Sequence, residues 1–303
     1  MSNIALTDPT LSSPSSHRST SFLILDQEQC HRDIGHREFG VRHALRGHPL
    51  FTLEALAKLA DGLPANAIER HAADQQLLVP GGQVRLPSKP SDTVRNIHIN
   101  GSWMVMWNLE QNESYRRIID AVLDQAAPLL PRRETGMGRR EAFLFISSPN
   151  SVTPVHFDPE HNFLLQISGI KQVSVGKFTE RAAEIRALDR YYDGAHRNLD
   201  LVPPTSNVFV MNPGDGVYVY PWAPHWVHNG PEPSISLSLT FRTRRSQRLE
   251  NACMFNRKLR IHGLRPRPAG DFAPLDRAKA AVVSFTGWVR RGGRRQLGLR
   301  DYS

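Results

Sequence analysis

The sequence holds only two cysteines, Cys30 and Cys253, in 303 residues. Two thiols so far apart build no disulfide framework, and neither belongs to a Cys-x-x-Cys pair, so a structural zinc site is not expected. That usage fits a reducing cytosol and a cytoplasmic protein. No run of about 18 apolar residues exists, so no transmembrane helix and no membrane partner is expected. The first twenty residues lack an apolar h-region, which argues against a secretory signal. No internal repeat is present. What remains is ordinary for a globular chain, with 40% hydrophobic and 22% charged residues. A chain of this length buries roughly 75% of its unfolded surface, enough for one large domain with appendages.

Acidic charge is scarce toward the C-terminus. From Arg242 onward sixteen Lys and Arg face four Asp and Glu, a net +12; the whole chain carries +9, so the preceding part carries −3. A basic segment of this kind can meet RNA, a ribosome or another acidic partner through phosphate electrostatics. The plainer reading is a solvated, ion-paired surface.

Residues 1–21 are rich in Ser, Thr and Pro and are expected to be a disordered tail. Leu53–Ala60 reads as a short helix with Thr52 as its N-cap, ended by Gly62 and Pro64. Val79–Pro90 reads as a loop or strand rich in Gly and Pro. A second helix opens at Asn112 and runs to about Leu130, with Ile118, Ile119, Val122 and Leu123 at helical spacing. After Arg140 the period changes. Short strands are expected at 142–146, 162–167, 172–175, 207–211, 217–220 and 234–241, with turns at Ser168-Gly169-Ile170 and Pro213-Gly214-Asp215-Gly216. Many short strands with turn signals point to a sandwich or barrel. Over 234–241 strict alternation puts Ile235, Leu237, Leu239 and Phe241 on one face. The other face carries hydroxyls, Thr240 among them, suited to lining a cavity. Helical spacing returns over 248–264 and 275–290.

Three residues carry the chemistry. His156 and Asp158 stand two apart in Thr153-Pro154-Val155-His156-Phe157-Asp158, so on an extended segment both point the same way. His225 stands 69 residues on, in Pro221-Trp222-Ala223-Pro224-His225-Trp226-Val227-His228. Two imidazoles and one carboxylate form the facial triad of non-haem Fe(II) oxygenases, which leaves positions open for a co-substrate and O2. A lone His-x-Asp is weak; its place between two expected strands raises it. His228 is the rival third ligand, but on a strand it faces away from His225, and His225 is favoured. His161 reads as a surface residue or a group standing behind the ligands. Lys171 opens a strand that should be buried. An isolated lysine there usually keeps its head in water, whereas a buried ammonium needs a partner, which a dicarboxylate would supply. Thr153 and Asn162 can add hydrogen bonds to the same molecule, although both also suit ordinary turn chemistry.

The stretch from Thr153 through His156, Asp158 and Asn162 to Lys171 resembles the jumonji-C/cupin-like 2-oxoglutarate dioxygenases, above all the branch of the asparaginyl hydroxylase of hypoxia-inducible factor. Pro213–Pro221 and His225–Asn229 are similar to the second motif, and Ser234–Phe241 to the last barrel strand. The likeness is firm over residues 142–242, looser over 95–130, and absent before residue 90.

The resemblance implies a mainly β fold with flanking helices around a double-stranded β-helix, the jelly-roll or cupin core. It divides the chain into a tail (1–21), a catalytic domain (22–245) and a basic helical region (246–303), whose residues 248–290 are a candidate homodimer contact. It implies Fe(II) on His156, Asp158 and His225. Lys171 and Thr153 would take the distal carboxylate of 2-oxoglutarate, and Asn162 would lie near its chelating end. Two positions depart from the pattern. Thr240 stands where the branch often has Asn, which puts its contact to the co-substrate in doubt, and Trp222-Ala223-Pro224 replaces the usual Gly-Trp-Trp. The activity implied is hydroxylation of a protein or peptide side chain, coupled to decarboxylation of 2-oxoglutarate to succinate and CO2. Hydroxylation of a small molecule or of an RNA or ribosomal component is the second reading, and a non-catalytic cupin binding module the third.

Overall fold

The computed structural model describes residues 21–72 and 89–296. Apart from Ser21, Lys89 and Pro90, the expected tail (1–21) and the Gly- and Pro-rich stretch (79–90) lie outside the described residues. In chain order the elements are β1 (Leu23–Ile24), α1 (Gln27–Asp33), β2 (Phe39–His43), α2 (Leu53–Gly62), β3 (Ile68–Ala72), α3 (Pro90–Arg95), β4 (Ser102–Met106) and α4 (Glu113–Ala126). Then come β5 (Gly138–Ser147), β6 (Val152–His156), β7 (His161–Ser168), β8 (Lys171–Gly176), α5 (Arg181–Tyr192) and β9 (Thr205–Met211). The last are β10 (Asp215–Val219), β11 (His225–Asn229), β12 (Ser234–Arg242), α6 (Arg244–Ile261) and α7 (Ala273–Gln296).

An eight-stranded sheet of order β1-β2-β10-β7-β12-β5-β4-β3 faces a four-stranded sheet of order β6-β11-β8-β9. Every pairing is antiparallel. This is the double-stranded β-helix core expected from the sequence.

Burial on both sides explains why the central strands read as near-continuous apolar text. On β12, Ile235, Leu237, Leu239 and Phe241 join the helix-side core with Leu56 of α2, Ile119 and Val122 of α4, and Cys30 of α1. The alternate residues Ser236, Ser238 and Thr240 turn inward and are buried too. Inside the barrel a smaller apolar cluster of Leu164, Val173, Val175, Met211, Val217 and Val227 fills one end and leaves the other for the polar site.

Thr52 caps α2 by accepting from the Ala55 N–H, and Asn112 caps α4 through the Ser114 N–H. Several elements had no clear sequence signal. β1 and β2 bring the N-terminal segment onto the barrel through β10, and β3 extends the sheet beyond β4. α5 fills part of 180–205. α6 begins at Arg244, with Thr243 as its N-cap. α7 packs on α6, and Asn251 donates to Ser284 across that contact. No helix of the described residues is long and apolar enough to cross a membrane.

Candidate metal centre and co-substrate cavity

His156 ends β6 and His225 opens β11, and the two stand directly opposite in the antiparallel ladder. Their ring centroids lie 4.2 Å apart. With Asp158 they place three donor atoms within 4.8 Å of one another. His228, three residues along β11, is exposed and pairs with Val152 and Gln172 far from this cluster.

The hydrogen bonds set the tautomers. Nδ1 of His156 lies 2.8 Å from the Pro154 carbonyl, and Nδ1 of His225 lies 2.9 Å from the Ala223 carbonyl. A carbonyl only accepts, so each Nδ1 carries a proton and Nε2 is the nitrogen left to face a metal. Burial, helped by the neighbouring His225, holds His156 neutral by pushing its pKa down to about 3. Burial alone would raise the Asp158 pKa, but the Arg197 guanidinium outweighs it and holds the carboxyl below its ordinary range. Two imidazoles and one carboxylate fit a divalent metal that keeps open positions.

Two contacts hold the loop that carries Asp158. Trp222 adopts φ 65°, a left-handed conformation rare outside glycine, and its N–H donates to the Asp158 carbonyl at 2.6 Å. The Arg197 side chain donates to Asp158 Oδ1 at 2.5 Å.

The triad opens into a cavity of about 260 Å3 that also receives Thr153, Asn162, Lys171 and Thr240. That is just below the usual range of ligand cavities, roughly 300–1,000 Å3. Lys171 is 4% exposed, and burial drives its pKa down to about 7. Among the described residues no carboxylate pairs with it; the ammonium stands 6.0 Å from the centroid of the Phe145 ring. Ser238 donates to the Asn162 carbonyl oxygen at 2.8 Å, leaving the amide nitrogen as the donor for a ligand. Thr240 lies opposite Asn162 in the ladder and donates to the Glu141 carbonyl at 3.3 Å.

The reading of His161 as a surface or ligand-backing residue needs correction. It is fully buried, stacked on Phe241 with centroids 4.8 Å apart. Its Nδ1 meets the Tyr218 hydroxyl at 2.7 Å, and its Nε2 lies 3.3 Å from the Thr243 hydroxyl. Thr243 in turn donates to Glu134, which pairs with Arg245. This network fastens the start of α6 to the barrel, and none of its members lines the triad cavity.

Sequence reasoning missed Arg197, Glu141 and Glu160, and the aromatic wall of Trp107, Phe143 and Phe145, all of which line the cavity. Glu160 is pushed up by burial and by the Asp158 charge, against the pull of Arg242, which it contacts at 2.8 Å. A buried carboxylate demands a cation, so a partner for Asp158 was foreseeable in kind, but no spacing rule locates it at residue 197.

Residues 134–250 match the family model described as the JmjC domain. The chain carries a JmjC domain. Two solved structures share the fold. An X-ray structure of Escherichia coli ycfD is 15% identical, covers 87% of this chain and 68% of that one, and superposes with a TM-score of 0.50. The structure described as YcfD, a ribosomal oxygenase from Escherichia coli in complex with cobalt and 2-oxoglutarate, is 16% identical, with 88% and 67% covered and a TM-score of 0.50. No curated protein matches. With its His–Asp–His set intact, the JmjC domain makes this chain a 2-oxoglutarate-dependent oxygenase, and its cavity fits Fe(II), 2-oxoglutarate and O2.

Proposed function

We propose that the chain hydroxylates a side chain of a protein substrate, with a ribosomal component as the first candidate. The observation that carries the oxygenase chemistry is Lys171, a buried ammonium with no acidic partner among the described residues, in the same cavity as the triad. Burying such a charge unpaired costs several kcal/mol, so the position makes sense when a carboxylate arrives from outside. In this reading His156, Asp158 and His225 hold Fe(II), while Lys171 and Thr153 take the distal carboxylate of 2-oxoglutarate. Asn162 donates its amide nitrogen near the chelating end, and Thr240 borders the same molecule.

The bound iron and co-substrate would supply oxidising power from O2, with succinate and CO2 released. The chain's own part is placement. The Nδ1–carbonyl bonds hold both imidazoles with Nε2 outward. Trp107, Phe143 and Phe145 wall the cavity with apolar surface and exclude water. Glu141 and Glu160 give it acidic groups that can meet a polar or cationic substrate.

Support for a ribosomal component comes from two directions. The similar YcfD is described as a ribosomal oxygenase, and the C-terminal region is strongly basic. Arg257, Lys258, Arg265 and Arg267 of that region are exposed, available to rRNA phosphates. The test is direct. Purified chain with Fe(II), 2-oxoglutarate and O2 should form succinate, and ribosomal proteins incubated with it should gain the mass of one oxygen. Absence of succinate with every candidate would favour the binding-module reading. Succinate without a protein adduct would move the substrate to a small molecule or RNA base.

A further inference from the structure

Residues 193–199 leave α5 and return along β6, the edge strand that carries His156. Gly194 makes the turn at φ 112°. From there the Phe157 N–H donates to the Arg197 carbonyl at 3.4 Å and the Leu199 N–H to the Val155 carbonyl at 3.0 Å. Asn198 forms an isolated antiparallel bridge with His156 itself. The backbone of this segment is therefore registered to the ligand strand, and its one charged side chain near the site is aimed at the third ligand. Arg197 donates to Asp158 Oδ1 at 2.5 Å, while Asp158 Oδ2 sits 3.5 Å from His225 Nε2.

We propose that Arg197 is a positioning residue that commits Asp158 to one-oxygen ligation, holding Oδ1 so that Oδ2 alone faces the metal. The inference rests on the reading of His156, Asp158 and His225 as the metal site. The terminal torsion of an aspartate is broad and nearly two-fold, so nothing within Asp158 itself selects one oxygen. A guanidinium fixed by its own backbone does, because its planar fork gives directed donors where a lysine gives a mobile point charge. One effect opposes this. The Arg197 charge repels a divalent ion, though its side chain is 26% exposed, and solvent screens that repulsion. Partners that orient ligating groups typically contribute 10–100-fold to metal affinity, and we take orientation to win.

The experiment is Co(II) titration of the full chain, followed by the visible d–d absorption, with the melting midpoint of the metal-free protein as a fold control. Arg197→Met should weaken Co(II) binding tenfold or more and alter the absorption band; the metal-free variant, with Asp158 left unpaired, should melt lower but remain folded at the titration temperature. Arg197→Lys, which keeps a donor without the fork, should recover part of the affinity. Equal or tighter Co(II) binding by Arg197→Met would overturn the proposal, as would unchanged binding with loss of succinate formation, which would assign Arg197 to the substrate. Failure of the unaltered chain to bind Co(II) would instead overturn the metal-site reading on which this rests.

Discussion

Replacing Lys171 with methionine should stabilise the free protein and abolish its response to 2-oxoglutarate. Methionine nearly matches the length of the stem and removes the ammonium. The pKa of Lys171 falls from 10.5 to about 7 on burial. At 1.36 kcal/mol per pH unit, that corresponds to about 5 kcal/mol against folding at neutral pH. The folded state binds fewer protons than the unfolded state between these values, so stability rises with pH across the window. The penalty is full below pH ~7, about 1 kcal/mol at pH 9.5, and gone by pH ~10.5. Local relaxation trims such figures, so Lys171→Met should gain a few kcal/mol at pH 7 and almost nothing at pH 10. Denaturant unfolding at the two pH values measures this. In the presence of Mn(II), 2-oxoglutarate at a hundred times its dissociation constant should stabilise the unaltered chain by about 2.7 kcal/mol and leave the variant unmoved. A variant no more stable than its parent at pH 7, or one whose advantage is flat with pH, would show that the ammonium is not held against its solvation. A variant still stabilised by 2-oxoglutarate would place the carboxylate partner elsewhere.

His156→Ala and Asp158→Ala should each abolish iron retention measured by metal analysis, whereas His228→Ala, on the exposed side of β11, should retain it. Burial pushes the His161 pKa down to about 3, while the unfolded chain titrates near 6.5, so the unfolded state binds the extra proton between these values. Stability should therefore fall as pH drops from about 6.5 toward 3, and His161→Gln should flatten that slope in acid unfolding curves. If the basic C-terminal region meets RNA, affinity should drop steeply as salt rises from 50 to 200 mM; a flat response in a binding titration would dismiss that partner.

What the sequence made legible was local. His156 and Asp158 share a face because i and i+2 do so on any extended segment. The 234–241 strand displayed both its faces because hydroxyl and apolar residues alternate without a break. α4 announced its N-cap at Asn112 and its apolar stripe. What stayed hidden depends on residues distant in sequence. Nothing near Phe39–His43 shows that it pairs with β10, about 175 residues away. His161, flanked by Glu160 and Asn162, reads as a surface residue. Phe241 and Thr243, from the end of β12, and Tyr218 of β10 make it one of the most buried groups in the molecule. Arg197 belongs to the same class, since only the return of 193–199 along β6 gives it a role.

Trp222 shows how a departure from a motif can mislead at one level and inform at another. Trp222-Ala223-Pro224 stands where the resembling family carries Gly-Trp-Trp, so Trp222 occupies the glycine position. The loss of that glycine reads as a change in the backbone of the turn. Yet Trp222 keeps a glycine-like backbone, φ 65°, at a cost of roughly 1–2 kcal/mol for a residue with a Cβ. The conformation aims its N–H at the Asp158 carbonyl, 2.6 Å away, and so ties the turn before His225 to the turn after His156. The strain is retained because the bond it permits fixes the distance between the two ligand loops. On that argument the backbone of this turn serves the metal centre, and the side chain is what the sequence was free to change.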